Sequence, residues 1–158
     1  MRRMMERLKL TVNEAKTRLC RVPEERFDFL GYTFGQFWYR KSGRPYLGMC
    51  PSKKSLKRLR GKIHQATTRQ WLWKSPEDQA QELNQLLVGW ANYFCVGAIH
   101  YAFGSVDCYV FQRLRQWWCR KHEARNRRDA RFSPHYLYQE LGVVQLRNFC
   151  RHRSWAKA

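Results

Sequence analysis

Pro51-Ser52-Lys53-Lys54-Ser55-Leu56 marks the point at which the sequence changes from a strand-like to a helical pattern. Ser52 is a candidate N-cap, and the apolar residues behind it recur every three or four positions, which is typical of one face of a helix. The pattern predicts an amphipathic helix with a basic outer face. Its apolar residues are Leu56, Leu59, Ile63 and Ala66, and its basic residues are Lys53, Lys54, Lys57, Arg58, Arg60 and Lys62.

Two further helices are predicted downstream. Ser75-Pro76-Glu77-Asp78 combines a capping residue, a proline at the first position and early acids, all typical of a helix start. The third helix is expected from about residue 104 to residue 120. Three amphipathic helices can close a small bundle. A last short helix is expected at residues 136–141, stopped by Gly142.

Upstream of Pro51 the composition favours β-hairpins. Residues 19–22 and 27–34 are rich in strand formers and flank a turn-like segment at 23–26. A second hairpin is expected from residues 36–40 and 45–49. The predicted fold class is therefore α+β, with hairpins first, a mainly α-helical three-helix bundle next and a short basic helical tail last.

The charge of the chain indicates its partner class. Thirty-one Lys and Arg residues against twelve Asp and Glu give a formal charge of +19. Such a chain repels itself unless a polyanion neutralises it, which makes nucleic acid the expected partner. No stretch approaches the roughly 18 apolar residues of a spanning helix, and the first residues lack a signal-peptide core. We therefore expect no membrane partner and a cytoplasmic or organellar location.

The sequence predicts no metal site and no cofactor. The six cysteines form no C-x-x-C pair, so the spacing Cys119-x-x-His122 with Cys150-x-His152 is a weak zinc signal. A polymerase needs clustered carboxylates that hold two metal ions, but no Asp-Asp pair occurs. The adjacent acids Glu24-Glu25 and Glu77-Asp78 fit a turn and a helix start. The isolated chain is not expected to be an enzyme.

Four segments in a fixed order carry a family resemblance. They are Asn13-x-x-Lys16-Thr17, Phe27-Asp28-Phe29-Leu30-Gly31-Tyr32, Ser52-Lys53-Lys54 and Gly89-Trp90-Ala91-Asn92-Tyr93-Phe94. Together they resemble the carboxy-terminal part of a group II intron reverse transcriptase, from the end of its palm through its thumb, or maturase, domain. The resemblance covers roughly residues 8–142. It divides the chain into a palm remnant at 1–50, a maturase-specific helical domain at 51–122 and a basic extension at 123–158.

The resemblance also implies roles for individual residues. Lys16 corresponds to the lysine that approaches the incoming nucleotide in an intact polymerase. Phe29, Leu30, Gly31 and Tyr32 correspond to the hairpin that grips the primer end. The implied RNA-binding residues are Lys53, Lys54, Lys57, Arg58, Arg113, Arg115, Arg125, Arg127, Arg128 and Arg131. Apart from the resemblance, Trp71 and Trp73 are favoured for stacking on a base, because they lie two residues apart and cannot both face the core. The other aromatic candidates are Trp38, Tyr39, Trp118 and Tyr136.

Three functions follow as alternatives. The first is a maturase-type module, truncated or split from the mobile intron's reverse transcriptase, that binds structured intron RNA and assists its folding and splicing. The second is a fragment of an RNA-directed DNA polymerase that binds an RNA/DNA duplex and is active only when an upstream palm polypeptide joins it, because the family's catalytic aspartates would precede Met1. The third is a nonspecific basic nucleic-acid-binding domain.

Overall fold

The computed structural model describes residues 20–122 and 133–149, together with Arg7 and Lys9. A three-stranded antiparallel sheet in the order β1-β2-β3 precedes the helices. The predicted α+β class is confirmed. The elements are β1 (Phe27–Phe29), β2 (Tyr32–Trp38), β3 (Pro45–Pro51), α1 (Lys53–Ala66), a 3₁₀ turn (Arg69–Trp71), α2 (Pro76–Tyr93), α3 (His100–Lys121), a π-helical turn (Tyr136–Glu140) and α4 (Leu146–Phe149).

The first predicted hairpin is wrong in its strands. Residues 20–22 form no strand, and residues 27–34 do not continue as one strand but fold back on themselves. Phe29 pairs with Tyr32 across a two-residue turn in which Leu30 has a φ of 49° and Gly31 a φ of 83°. Both central residues of this kind of turn need positive φ, which is unusual for leucine. Because residues 27–34 are rich in strand formers, the sequence did not predict the turn at Leu30 and Gly31.

The second predicted hairpin is confirmed and is longer than expected. β2 and β3 pair from Tyr32 with Pro51 to Trp38 with Pro45. The connecting loop closes where the Tyr39 N–H donates to the Arg44 carbonyl at 2.9 Å. This pairing carries the chain from β3 directly into α1.

The helices α1 and α2 begin where the capping residues predict. The Ser52 hydroxyl accepts from Ser55 N at 3.2 Å, and the Ser75 hydroxyl accepts from Asp78 N at 3.0 Å. α3 begins at His100, earlier than the predicted residue 104, and no side chain caps its start. Its first turn buries Phe103, so packing sets this boundary in place of a capping signal.

The three helices enclose one apolar core. Its members come from all three helices and from residues 133–149, where Leu137, Val143 and Leu146 are at most 3% exposed. The predicted short helix at 136–141 is confirmed in position as the π-helical turn, followed by Gly142. The core residues from α1, α2 and α3 include Leu59, Ile63, Leu83, Leu87, Ala91, Phe103, Val106, Val110, Leu114 and Trp117.

Hydrogen bonds tie the sheet to the ends of two helices. The Tyr32 hydroxyl donates to the Tyr93 carbonyl at 2.6 Å, and the Tyr93 hydroxyl donates to the Leu30 carbonyl at 2.9 Å. Ser52 N, at the start of α1, donates to the Gly31 carbonyl at 2.8 Å. The β1–β2 turn is thus held against the carboxyl end of α2 and the amino end of α1. No helix in the described ranges is long and apolar enough to cross a membrane.

Candidate nucleic-acid interface

A groove of about 880 Å³ lies between α1, α2 and the β1–β2 turn. Its walls come from three segments that are far apart in sequence: residues 28–31, 52–62 and 85–94. Each of these segments overlaps one of the motifs singled out in the sequence. The fold therefore brings the turn, the basic helix and the Gly89–Phe94 motif to one surface.

The α1 wall of the groove is cationic. Lys54, Arg58 and Lys62 follow one another at four-residue spacing, so their side chains share one side of the helix. All three are exposed. Within residues 20–122 and 133–149 none of them forms an ion pair, so their charges remain available to an anionic ligand.

The α2 wall is uncharged. Gln85, Gly89 and Tyr93 are exposed at four-residue spacing and line the groove, and residues 85–94 contain no charged residue. Trp90 lies deeper, where its Nε1 donates to the Ser55 hydroxyl at 3.2 Å and its ring packs at a tilt against that of Phe94, with centroids 4.8 Å apart. These contacts join the floor of the groove to both helices.

The β1–β2 turn closes one end of the groove with exposed apolar side chains. Phe29 is 58% exposed and Leu30 is 67% exposed, although Tyr32 in the same motif is buried and packs on Tyr93 and Phe94. Burial raises the pKa of the Tyr32 phenol above its ordinary value of 10.0, and its hydroxyl donates to the Tyr93 carbonyl. Asp28, also in the lining, accepts from the Thr33 hydroxyl.

A second depression of about 650 Å³ continues the groove towards the end of α1. Lys62, Gln85 and Leu86 line both depressions, which makes one path along the two helices. The path ends at Trp71, whose indole N–H donates to the Gln65 carbonyl at 3.1 Å. The ammonium of Lys74 lies 4.1 Å from the centroid of the Trp71 ring and pairs with Glu82.

The structure places the four predicted α1 cations on two sides of the helix. Lys54 and Arg58 line the groove, whereas Lys53 and Lys57 are exposed outside its lining. Lys62 was recognised in the sequence as part of the basic face but not as a binding residue. The four-residue spacing from Lys54 is the sequence signal that would have found it.

Arg113, which the resemblance implies as an RNA-binding residue, instead contacts the end of α1. Its guanidinium donates to the Thr67 hydroxyl at 3.0 Å and the Thr67 carbonyl at 3.1 Å, at the carboxyl end of α1. The reason is that the last carbonyls of a helix need donors, and an arginine from a neighbouring helix supplies them. Arg115 on the same helix is half-buried.

Two tryptophans that were predicted to stack on a base lie within the described residues, whereas five other predicted residues do not. Of the two tryptophans proposed for stacking, Trp73 is 75% exposed and Trp71 is half-buried, with ring centroids 6.2 Å apart. Gln85 and Gly89 line the groove but were not among the predicted site residues. The predicted residues Lys16, Arg125, Arg127, Arg128 and Arg131 lie outside the described residues.

Metal ligands do not converge in the described part of the chain. No group of three or more His, Cys, Asp or Glu side chains in residues 20–122 and 133–149 is arranged to hold an ion. Cys119 is half-buried and His122 packs its ring 4.2 Å from that of Trp118, while Cys150 and His152 lie outside the description.

The fold and the groove define a class of protein: a basic α+β module whose two-helix surface presents a neutral wall beside cations that form no ion pair with the residues described. Residues 56–136 match the family model of the group II intron, maturase-specific domain. Because the match covers more than half of the 158 residues of the chain, the chain belongs to this family. Membership implies a maturase-type role in group II introns. No curated protein matches the chain.

Proposed function

We propose that the chain binds structured group II intron RNA in the groove between α1 and α2 and thereby assists folding and splicing of the intron. The observation that carries the proposal is the cationic wall of Lys54, Arg58 and Lys62, which faces the groove without ion pairs in the described residues. Its members neutralise phosphates, and the resulting release of counterions supplies binding free energy.

The proposed activity is binding without catalysis. The sequence has no pair of adjacent aspartates, and Asp28 is the single carboxylate among the side chains that line the groove. A maturase of this kind acts by stabilising one fold of the RNA, because a ligand that binds only the folded form shifts the folding equilibrium towards it. We place this activity inside the cell, where intron RNA is spliced.

Salt-dependent binding tests the proposal. The full chain is titrated with a folded group II intron RNA, with an unstructured RNA of equal length and with duplex DNA as competitors. We expect the folded intron RNA to be preferred above about 150 mM salt, where long-range charge attraction is screened. Equal affinities that vanish together as salt rises would reduce the function to nonspecific polyanion binding.

Two double variants of α1 locate the site. Lys54→Gln with Arg58→Gln removes two charges from the groove, and Lys53→Gln with Lys57→Gln removes two from outside it. If two phosphate contacts are lost, the log-log salt slope for RNA falls by about 1.4 to 1.8. We expect this fall for the groove variant and a smaller one for the control. Equal effects would place binding on the whole basic face.

A second candidate function is supported by the sheet. Trp38 and Leu47 are 57% and 65% exposed, and the register places both on the face that carries Phe34. Exposed apolar side chains in a cluster fit a polypeptide partner. The candidate is a reverse transcriptase fragment that an upstream palm polypeptide completes. RNA-directed DNA synthesis on mixing the chain with a palm fragment would establish it, and no synthesis would rule it out.

A further inference from the structure

The two faces of the β2–β3 hairpin carry different side chains. Residues directly opposite each other in an antiparallel pair share a face, and successive residues of a strand alternate between faces. Trp38 and Leu47 lie on one face, as described above. Phe37 and Tyr46, which pair across the strands, lie on the other face, and Tyr39 follows on that same face towards the loop. We call this second surface the aromatic face.

The three rings of the aromatic face form a row. The ring centroids of Phe37 and Tyr46 are 6.0 Å apart, and those of Tyr46 and Tyr39 are 4.4 Å apart with an interplanar angle of 32°. The guanidinium of Arg26 lies 5.2 Å from the Phe37 centroid, at the end of the row farther from the loop. Tyr39 is the last ring at the other end and is 56% exposed. The outer side of Tyr39 is therefore open to another planar group.

Glycine accounts for part of this row but not for Tyr39. Gly35 and Gly48 pair directly opposite each other on the aromatic face. A Cβ built on Gly48 would lie 2.7 Å from the Tyr46 ring and 3.3 Å from the Phe37 ring, so these two rings cover the glycine and stabilise the sheet. A Cβ built on Gly43, in the loop beside Tyr39, meets no atom within 4 Å. Tyr39 therefore covers no glycine.

The loop beside Tyr39 is cationic. Arg40, Lys41 and Arg44 are exposed, and none of them forms an ion pair with a residue in the ranges 20–122 and 133–149. Arg44 lies opposite Tyr39, whose N–H donates to the Arg44 carbonyl at 2.9 Å. The sequence contains no Asp or Glu from residue 29 to residue 76, a segment that includes the whole hairpin. An exposed ring thus lies beside three cations on a surface without carboxylates.

We infer that this hairpin binds an unpaired RNA strand, with a base stacked on Tyr39 and phosphates on the cationic loop. Proteins bind single strands by stacking bases on aromatic side chains beside cations that contact the backbone. A polypeptide segment offers no comparable row of anions to the loop, whereas every nucleotide of a strand supplies one phosphate and one planar base.

The site goes beyond the proposed function. Residues 37–46 lie outside the groove and precede residues 56–136, which match the family model. Stacking and phosphate contacts do not use the 2′-hydroxyl, so single-stranded DNA should bind with similar affinity. The choice of RNA as the natural strand rests on the proposed function, which brings RNA to the protein, but the site itself does not depend on it.

A fluorescent single strand tests the inference with the full chain. The probe is an oligouridylate of about eight nucleotides that contains one 2-aminopurine, a length similar to the site size of known single-strand-binding domains. The fluorescence of 2-aminopurine falls when the base stacks, so one titration reports binding and stacking. An end-labelled abasic strand of the same length keeps the phosphates but has no bases. We expect quenching with the first probe and binding weaker by about fivefold or more with the second.

Three variants locate the stacking ring. Tyr39→Leu removes the ring, Tyr39→Phe keeps it, and Tyr101→Leu is the matched control because Tyr101 is 88% exposed on α3. Tyr39→Leu should weaken strand binding by about fivefold or more and abolish the quenching. Tyr39→Phe should keep both, and Tyr101→Leu should change neither. All three alter exposed residues, so their melting temperatures should stay within a few degrees of the wild type.

A double variant tests the loop. Arg40→Gln with Arg44→Gln removes two charges beside Tyr39 and leaves the ring in place. If both side chains contact phosphates, the log-log salt slope for the single strand falls by about 1.4. An unchanged slope would show that the loop does not contact the strand and would overturn that part of the inference.

The outcomes separate this inference from the proposed function. If the strand binds with quenching but folded intron RNA is not preferred over other polyanions, the proposed function fails and the inference stands. If folded intron RNA is preferred but the strand does not bind, or binds without quenching, the inference is overturned and the proposed function stands. Equal losses for Tyr39→Leu and Tyr101→Leu would also overturn it. So would unchanged strand binding by Tyr39→Leu together with a loss of DNA synthesis on mixing with a palm fragment, which would assign the aromatic face to a polypeptide.

Discussion

The guanidinium of Arg113 lies at the carboxyl end of α1, where two of its nitrogens reach Thr67. Only arginine has the planar fork that serves two acceptors at once. Arg113→Lys should lower the free energy of unfolding in urea by about 1.5 kcal/mol, the size of a hydrogen bond to a charged group. RNA affinity should not change, because lysine keeps the charge.

The control for Arg113 is Arg120→Lys, which changes an exposed residue on the same helix. Surface substitutions of this kind usually stay within about 0.5 kcal/mol. Equal losses for the two variants would show that Arg113 does not support the end of α1.

Asp107 links α3 to the start of α4. Its carboxylate accepts from Leu146 N at 2.9 Å and from Arg147 N at 3.1 Å. Burial raises the pKa of this carboxyl above its ordinary value of 3.8, against the opposing effects of the two N–H donors and of Arg147. Tyr138 also lies near, but burial raises its pKa to about 12, so it stays neutral in the acid range.

A raised pKa in the folded chain fixes the sign of the pH effect. Folding favours the protonated form of the Asp107 carboxyl. The protonated carboxyl therefore stabilises the fold at pH values below its ordinary pKa, and this stabilisation is lost as the pH rises through the raised pKa of the folded chain. The free energy of unfolding of the wild type minus that of Asp107→Asn should therefore fall as pH rises from about 3 through the acid range. Denaturation in urea at a series of pH values measures it, and a difference that rises with pH would contradict the burial effect.

At the scale of elements, α2 depends on a single capping residue. The Ser75 hydroxyl accepts from Asp78 N, and Pro76 and two acids complete the first turn. Ser75→Ala should lower the free energy of unfolding by about 1 kcal/mol, and Ser75→Gly by a few tenths, since glycine also serves as an N-cap. Urea denaturation of both variants gives the comparison. A larger loss for glycine than for alanine would contradict the capping role.

Elements with a clear local sequence signal, such as a capping residue, were predicted best. α1 and α2 carry Ser52 and Ser75 as caps and were placed correctly. α3 has no capping side chain, so its first turn is set by burial of Phe103, which a local pattern does not contain. Leu30 at φ 49° hid the first turn, because nothing local distinguishes this leucine from a strand residue.

The groove likewise could not be predicted from local sequence patterns. Sequence motifs singled out the Phe27–Tyr32 segment, the basic helix and the Gly89–Phe94 segment separately, but only tertiary contacts bring them together. The bond from Tyr93 to Leu30 joins residues 63 positions apart. Arg113 was predicted to bind RNA, but its guanidinium donates to Thr67 at the end of another helix, a contact that the pattern of α3 alone does not contain.

At the scale of the whole molecule, the charge of +19 opposes compact structure. Adding NaCl from about 0.02 to 0.2 M should raise the melting temperature by several degrees, because screening weakens repulsion that costs about 1 kcal/mol or more. A sulfated polysaccharide should raise it further by binding the folded chain. Thermal unfolding measures both effects.

The control for the salt effect is the double variant Lys53→Gln with Lys57→Gln, which carries two fewer charges. Its melting temperature should start higher at low salt and respond less to added NaCl. A melting temperature that does not depend on salt in either protein would show that charge repulsion does not limit stability.

The β1–β2 turn is held by Tyr93 at one helix end and by Ser52 at another, so the mouth of the groove has a fixed aperture. A site that closes around its ligand can bind partners of many widths, whereas an opening of fixed width accepts only partners that fit it. If the groove binds RNA as proposed, it would select by cross-section, independently of base sequence. RNA from unrelated introns would then fit equally well, and discrimination among introns would have to come from contacts elsewhere on the RNA.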